Sequence, residues 1–331
     1  AYSESTGKWS AVKKCANGNP IRSCCADYCL KEKMKSLDMR PPKTIMVCLD
    51  LTEMDEVLLH YAHFLISLLG EVEQVLFVHN IQIEYPEDAE EIMEGLDRPL
   101  EKAIAGLIRE KVGSGWNGTP GPDWEVVVEN DASTVRSLTT LADRYEVQLT
   151  ITGKKRSYAG SGLLAESLVR TAHFHSDLLL VPETAHYQIS KIVVPTDFSN
   201  ASLAAIRFGA LLRDRSGAAL DCQHVFGVPA HYFPYIPVED MQQRLRTSAE
   251  KSWAKFSRHW QGDDFDPLTC NFTFNQGKST AQTIYRHALQ QKKDLIIVGS
   301  KGKGALTTLV IGSVAASLMQ YDMHIPLLVT R

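Results

Sequence analysis

Three glycines and a serine near the end of the chain could surround an anion with backbone amides. Gly299 ends an apolar run, Gly302 follows with two residues between, and Gly312-Ser313 comes after nine more residues. Glycine allows sharp turns and a close approach of the backbone to a ligand. Ser313 is placed to cap a helix over 314–319, and the free amides of a helix N-terminus suit phosphate oxygens. The pattern therefore predicts a phosphate-binding loop.

The spacing excludes two other phosphate loops. A Walker A loop would need a Gly-Lys-Ser/Thr sequence at a position where this chain has none. The dinucleotide fingerprint follows the first strand of its fold, whereas Gly299 follows a late strand in its half of the chain. On spacing alone, a tight turn without any ligand stays an alternative.

Histidines and cysteines are the other candidates for chemistry, and metal binding is the function to consider. His60 and His63 are spaced i, i+3 on a predicted helix, and His173 and His175 lie near a helix end. Surface or half-buried histidines are the simpler interpretation. The sequence shows neither a pair of carboxylates nor a Ser/His/Asp arrangement that would indicate a hydrolase.

The cysteines fall into two groups with different expectations. The first group lies near the N-terminus, and two of its members are separated by three residues, a spacing that zinc ligands can have. The group lacks the paired CxxC pattern of a typical zinc site. It consists of Cys15, Cys24, Cys25 and Cys29. Cys48, Cys222 and Cys270 lie in domain sequence and are expected to be small buried or strand residues, not a disulfide framework.

Elements that repeat once along the chain position these residues. Residues 44–50 and 191–197 are apolar, β-branched-rich strands that each end in an aspartate. In each half, strands and helices then alternate, and the fourth strand leads to a glycine. The predicted strands are 44–50, 74–79, 124–129, 148–153 and 176–181, then 191–197, 219–225, 268–275, 294–299 and 326–330. The predicted helices include 53–69, 87–112, 133–145, 200–215, 238–260 and 279–291.

This alternation predicts an α/β fold with two tandem doubly wound, Rossmann-like domains, each with a five-stranded parallel sheet. The expected domains are 41–185 and 186–331, and residues 1–40 are expected to be a poorly ordered extension. Ligands of such sheets bind outside the carboxyl ends of the strands, where the repeated aspartates and glycines lie.

Composition and charge narrow the class of protein. The chain has 331 residues, of which 44% are hydrophobic and 22% charged, as in ordinary globular proteins. Its net charge of −4 gives no electrostatic reason to expect nucleic acid as a partner. No apolar run is long enough for a membrane helix or resembles a signal peptide. We therefore expect a cytoplasmic protein.

The second half resembles the ATP-binding class of universal stress proteins. The resemblance rests on the opening strand with Pro195 and Asp197, on His224-Val225, and on the full glycine pattern from Gly299 to Ser313. It implies ATP as the ligand, with Mg²⁺ as a plausible companion. Pro195, Asp197, Val225, Val298 and Gly299 would contact the nucleoside, and Gly302, Gly312, Ser313 and Val314 would hold the phosphates.

The first half departs from the same pattern. Gly153 is kept, but Arg156 replaces the second glycine, and Glu166-Ser167 stands where the other half has Gly312-Ser313. A glutamate there opposes an anion by its charge. We therefore expect no ATP in the first half in this mode. The resemblance implies that the two halves pair through their last strands, and a homodimer is a further expectation.

Three functions remain open at this point. The leading one is a nucleotide-binding regulator of the stress response, in which ATP changes the protein's shape or its choice of an unknown protein partner. The second is a slow ATPase or phosphotransferase, although no P-loop lysine or convincing general base accompanies the loop. The third is a binding module for another small ligand. The aromatic segment 227–237 could be a lid over the nucleotide, an interaction surface or an ordinary loop.

Overall fold

Strands and helices alternate along the chain in two successive runs, as the repeat predicts. The structure is a computed structural model that describes residues 40–82, 99–116, 121–155, 161–228, 238–258, 268–302, 311–321 and 324–331. The N-terminal extension and its four cysteines therefore lie outside the described residues, as do Arg156 and most of the aromatic segment 227–237.

The first run contains five strands and four described helices. The strands are β1 Thr44–Cys48, β2 Gln74–Ile81, β3 Asp123–Asn130, β4 Leu149–Lys154 and β5 Asp177–Pro182. The helices are α1 Met54–Leu69, α2 Leu100–Trp116, α3 Thr134–Arg144 and α4 Ser161–Arg170. Of the helix predicted over 87–112, the structure has Leu100–Trp116 as a helix, and residues 87–98 lie outside the described residues.

The second run repeats this order. Its strands are β6 Lys191–Pro195, β7 Ala219–Phe226, β8 Thr269–Phe274, β9 Leu295–Gly299 and β10 Leu327–Thr330. Its described helices are α5 Asn200–Ser216, α6 Val238–Ser257, α7 Thr280–Gln290 and α8 Ser313–Gln320.

Serines and glycines define several helix ends. The side chains of Ser133, Ser199 and Ser279 each accept a hydrogen bond from a backbone amide in the first turn of α3, α5 and α7. Such caps satisfy amides that have no partner within the helix. Gly70 and Gly217 end α1 and α5 in the left-handed region, with φ of 70° and 71°, which glycine adopts without steric cost.

All ten strands form one sheet in the order β3-β2-β1-β4-β5-β10-β9-β6-β7-β8. Within each half the strands are parallel and follow the doubly wound order, so the predicted fold class is confirmed. The two expected sheets are joined, because β5 and β10 pair antiparallel with Leu179 opposite Leu328. The pairing within the chain covers two apolar edges that would otherwise expose unpaired backbone groups.

The hydrophobic core continues across this junction. One cluster of buried side chains includes Met46 and Leu180 from the first half and Ile296 and Leu318 from the second. Consistent with this, residues 41–331 form one compact unit. Among the described residues, no helix is both long and apolar enough to cross a membrane.

Candidate functional site

The candidate site lies where the strand order of the second half reverses. β6 pairs with β7 on one side and with β9 on the other, so the chain connections leave in opposite directions and open a crevice at the carboxyl ends. A cavity of about 630 Å³ occupies this crevice. Its lining includes all nine residues predicted for the site, which are Pro195, Asp197, Val225, Val298, Gly299, Gly302, Gly312, Ser313 and Val314.

Asp197 follows β6 and is held in a fixed orientation. Its Oδ1 accepts hydrogen bonds from the Ser202 hydroxyl at 2.7 Å and from the Ser199 amide at 3.1 Å. Phe198 has φ of 64°, an uncommon conformation for a residue with a side chain. This turn ends the strand, and Ser199 then caps α5. The aspartate is therefore presented to the cavity by a tightly bonded strand-to-helix turn.

His224 ties β7 to the end of β6. Its Nδ1–H donates to the carbonyl oxygen of Thr196 at 2.8 Å, and its ring stacks on Phe198 with 4.3 Å between ring centroids. The sequence pattern included His224 without giving it a role. In the structure it lines the cavity and holds the turn that carries Asp197 beside Val225.

Gly299 and Gly302 are required by close approaches within the protein. A Cβ on Gly299 would lie 2.7 Å from the carbonyl carbon and oxygen of Ala201 in α5. A Cβ on Gly302 would lie 2.9 Å from Oδ2 of Asp197. Both distances are shorter than ordinary contacts. These glycines therefore let the loop pass against α5 and against the aspartate.

Gly312, and not Ser313, occupies the N-cap position of α8. It has φ of −64° and ψ of 140°, and no side chain caps this helix. The prediction that Ser313 caps a helix starting at 314 is therefore wrong, because Ser313 is already the first helical residue. The Gly312 amide donates to the Ser300 carbonyl oxygen at 2.7 Å and closes the base of the loop. The helix thus presents its first amides without a competing side-chain acceptor.

Several cavity residues were not predicted. Thr280 and Ile284 come from α7, and Gln223 lies on β7 two residues before Val225. Since side chains on a strand alternate between faces, Gln223 shares a face with Val225, and this period could have identified it. Lys301 also lines the cavity, whereas Lys303 and the rest of the loop through residue 310 lie outside the described residues.

In the first half, Met54 and Lys155 lie at the corresponding strand ends. A Cβ on Gly153 would lie 2.6 Å from Cγ of Met54, so methionine packs against the strand end. Lys155 forms an ion pair with Asp50 at 2.6 Å. Burial alone would raise the pKa of Asp50, but hydrogen bonds and the charge of Lys155, together with Thr52, lower it below its ordinary value. An aspartate neutralised in this way is less suited to receive a ribose hydroxyl.

Glu166 lies within α4, which begins at Ser161, whereas Gly312 immediately precedes α8. The prediction that Glu166 stands at the position of Gly312 is therefore wrong, because α4 begins before Glu166. The Glu166 side chain is instead engaged in hydrogen bonds from α4 and α8. Its carboxylate accepts from Gln320 in α8 at 2.8 Å and from Nε of Arg170 at 2.9 Å. The hydrogen bond from Gln320 and those from Arg170 lower the pKa of Glu166, so the group stays charged. Glu166 therefore does not face the N-terminus of α4, and the absence of ATP from the first half stays a prediction.

The four histidines considered as metal ligands and the described cysteines have ordinary environments. His60, His173 and His175 are exposed and His63 is half-buried, as the simpler interpretation predicted. His60 and His63 line a separate cavity of about 810 Å³ beside α1 and α2. In the part of the chain that the structure describes, no group of three or more His, Cys, Asp or Glu could hold a metal ion.

Cys48, Cys222 and Cys270 are strand residues with free thiols, as expected. Burial raises the pKa of Cys48 and of Cys270 to about 12. The reactive thiolate is therefore scarce at neutral pH, and packing accounts for these residues.

The fold and the crevice define a doubly wound α/β protein with a ligand site at its switch point. Residues 188–331 match the model of the universal stress protein family. A search among curated proteins gives no match.

Two solved structures share the fold over most of the chain. A functionally unknown protein from Pseudomonas aeruginosa PAO1 is 12% identical, with a TM-score of 0.60, and the match covers 88% of this chain and 93% of that one. A universal stress protein from Archaeoglobus fulgidus DSM 4304 is 16% identical, with a TM-score of 0.57, and the match covers 87% and 98%. At these identities the likeness shows the fold alone.

Proposed function

We propose that the second half binds ATP and that the nucleotide regulates the protein's shape or its choice of protein partner. The observation that carries this proposal is that all nine residues of the sequence pattern line one cavity. Its volume of about 630 Å³ falls within the range of small-molecule sites, about 300–1,000 Å³. The conclusion depends on this convergence more than on any single residue.

The phosphates would lie at the N-terminus of α8. The amides of Ser313 and Val314 belong to the first turn, where backbone donors have no partner within the helix. Gly312 contributes no side chain that could compete for them. A partial positive charge at the helix N-terminus adds to the attraction for an anion. Gly302 and the Ser313 hydroxyl would complete the phosphate contacts.

The nucleoside would lie towards the strand ends. Asp197, with Oδ1 already oriented by Ser199 and Ser202, would accept a hydrogen bond from a ribose hydroxyl. The backbone of Val225 would contact the base. Pro195, Val298 and Gly299 would enclose the nucleoside, and these predicted contacts are consistent with their places in the cavity lining.

Mg²⁺ would be held mainly by the phosphates and water. Mg²⁺ commonly keeps several waters and uses few protein ligands, so the absence of a dedicated cluster among the described residues is compatible with it. Hydrolysis is outside the proposal, since Asp197 is the one carboxylate in the described lining and its Oδ1 already accepts two hydrogen bonds. A homodimer, a protein partner in the stress response and a cytoplasmic location stay predictions.

Calorimetry with ATP on the wild type, Gly312→Glu and Gly312→Gln tests the proposal. The backbone at Gly312 suits any residue, and an added Cβ would meet atoms no nearer than 3.5 Å. The fold should therefore tolerate both variants. The glutamate places a negative charge beside the phosphates, so ATP affinity should fall by at least about 100-fold. Glutamine has nearly the same size without the charge and should retain about 10-fold more affinity than glutamate.

The outcomes separate binding at the loop from binding elsewhere. Equal ATP affinity in all three proteins would place any site away from α8. An absence of binding by the folded wild type would refute the proposal outright. Thermal melts of the free proteins should coincide and show that the variants remain folded.

A further inference from the structure

Gln223 is a fully buried polar side chain in the cavity wall. It lies on β7, is 0% exposed, and its Nε2 donates to the Thr273 hydroxyl on β8 at 3.1 Å. Within the part of the chain that the structure describes, its Oε1 has no hydrogen-bond partner. A buried acceptor left without a donor destabilises a protein by about 1–3 kcal/mol, so it calls for an explanation.

The first half shows that the sheet does not need an amide at this position. The Thr196 amide bonds the Gln223 carbonyl at 2.8 Å, and the Leu49 amide bonds the Val78 carbonyl at 2.8 Å, so the two residues correspond. Val78 is 1% exposed and purely apolar. The first half thus has valine at this position, whereas the second half, which has the cavity, has an amide with an unused acceptor.

The position of Gln223 places it at the nucleoside end of the cavity. It is the register partner of Pro195 on β6 and shares a strand face with Val225, about 7 Å along β7. Thr280 and Ile284 of α7 also line the cavity. Pro195 and Val225 belong to the set proposed to enclose the nucleoside. Gln223 therefore belongs to the wall that would meet the base.

We infer that Gln223 selects the base by accepting a hydrogen bond from an exocyclic amino group. This inference rests on the proposed function and adds the residue that makes the site prefer a 6-aminopurine base. A 6-oxopurine would place a carbonyl oxygen against Oε1, leaving two acceptors without a proton between them. Sites built around a buried hydrogen bond reject ligands that cannot make it.

The Thr273 hydroxyl determines which end of the amide is available. With Nε2 bonded to Thr273, the oxygen is left for the ligand. The opposite orientation of the amide would leave Nε2 instead and would favour a 6-oxopurine. The preference for one base over the other therefore reports the orientation of this side chain.

Calorimetry with three triphosphates tests the inference on the wild type. ATP carries the 6-amino group, purine riboside triphosphate carries hydrogen there, and inosine triphosphate carries oxygen. Loss of one buried hydrogen bond should weaken binding by about 10-fold, so purine riboside triphosphate should bind about 10-fold more weakly than ATP. Inosine triphosphate should bind more weakly still.

Gln223→Met supplies the matched variant, since methionine has similar length and no amide. ATP affinity should fall by about 10-fold, while affinity for purine riboside triphosphate should change by less than about 2-fold. If the methionine variant melts at a lower temperature than the wild type, Gln223→Val replaces it as the matched variant, because valine is the residue of the first half at this position.

Each outcome decides between the inference and the proposed function. Equal binding of the three nucleotides by the wild type, or a preference for inosine triphosphate, overturns the role of Gln223. If ATP binding is then still lost in Gly312→Glu, the proposed function stands without the inference. If the wild type binds none of the three, both fail together.

Discussion

The two halves of this chain share one strand-to-helix turn but differ in the space above it. Leu51 and Phe198 both occupy the left-handed region after the aspartate, with φ of 62° and 64°. His79 and His224 both bond the carbonyl of the residue before the aspartate, at 2.9 and 2.8 Å. Because a half without the glycine loop keeps this turn and histidine, they are features of the scaffold and do not themselves indicate a ligand.

What distinguishes the halves is the set of side chains at these strand ends. The long side chain of Met54 lies against Gly153 in the first half, whereas the small residue Ala201 lies against Gly299 in the second. Asp50 forms an ion pair with Lys155, and the Ser202 hydroxyl donates a hydrogen bond to Asp197. The comparison teaches that a repeated fold can keep its framework while a few side chains decide whether a cavity remains.

The largest difference in stability is expected from adding one methyl group to each strand end. Gly299→Ala would press Cβ against the backbone of Ala201 at 2.7 Å, and backbone cannot move easily. Its free energy of unfolding should fall by about 2–3 kcal/mol. Gly153→Ala meets the flexible side chain of Met54, so the loss should be about 1 kcal/mol. Urea denaturation measures both, and an equal or larger loss in Gly153→Ala would contradict the comparison.

A smaller difference is expected between two neighbouring lysines of the first half. Lys154 is buried and donates to the carbonyl oxygens of Met319 and Tyr321 at the C-terminal end of α8. Lys154→Met should lower the free energy of unfolding by about 2 kcal/mol, because two carbonyls lose a charged donor. Lys155→Met breaks the ion pair with the half-exposed Asp50 and should cost less than about 1 kcal/mol. Similar losses in the two variants would show that Lys154 does not anchor α8.

The sequence predicted the fold because its signals are local. Apolar runs of β-branched residues, the serine caps and the glycines after α1 and α5 each act within a few residues of chain. The candidate site was also predictable, since the pattern from Pro195 to Val314 marks strand ends that a doubly wound sheet brings together.

Contacts between distant segments could not be predicted in the same way. The register of Leu179 opposite Leu328 depends on two apolar strand edges that carry no mark of their partner. The unused acceptor of Gln223 depends on what surrounds it from β8 and α7. Ser313 was misassigned by one position, because the extended conformation of Gly312 determines where α8 begins.

The central claim is that each chain holds one nucleotide, in the second half. Native mass spectrometry of the full chain titrated with ATP counts bound nucleotides directly. The account predicts saturation at one ATP per chain in the wild type and none in Gly312→Glu under the same conditions. Two nucleotides per chain, or one that persists in Gly312→Glu, would contradict it.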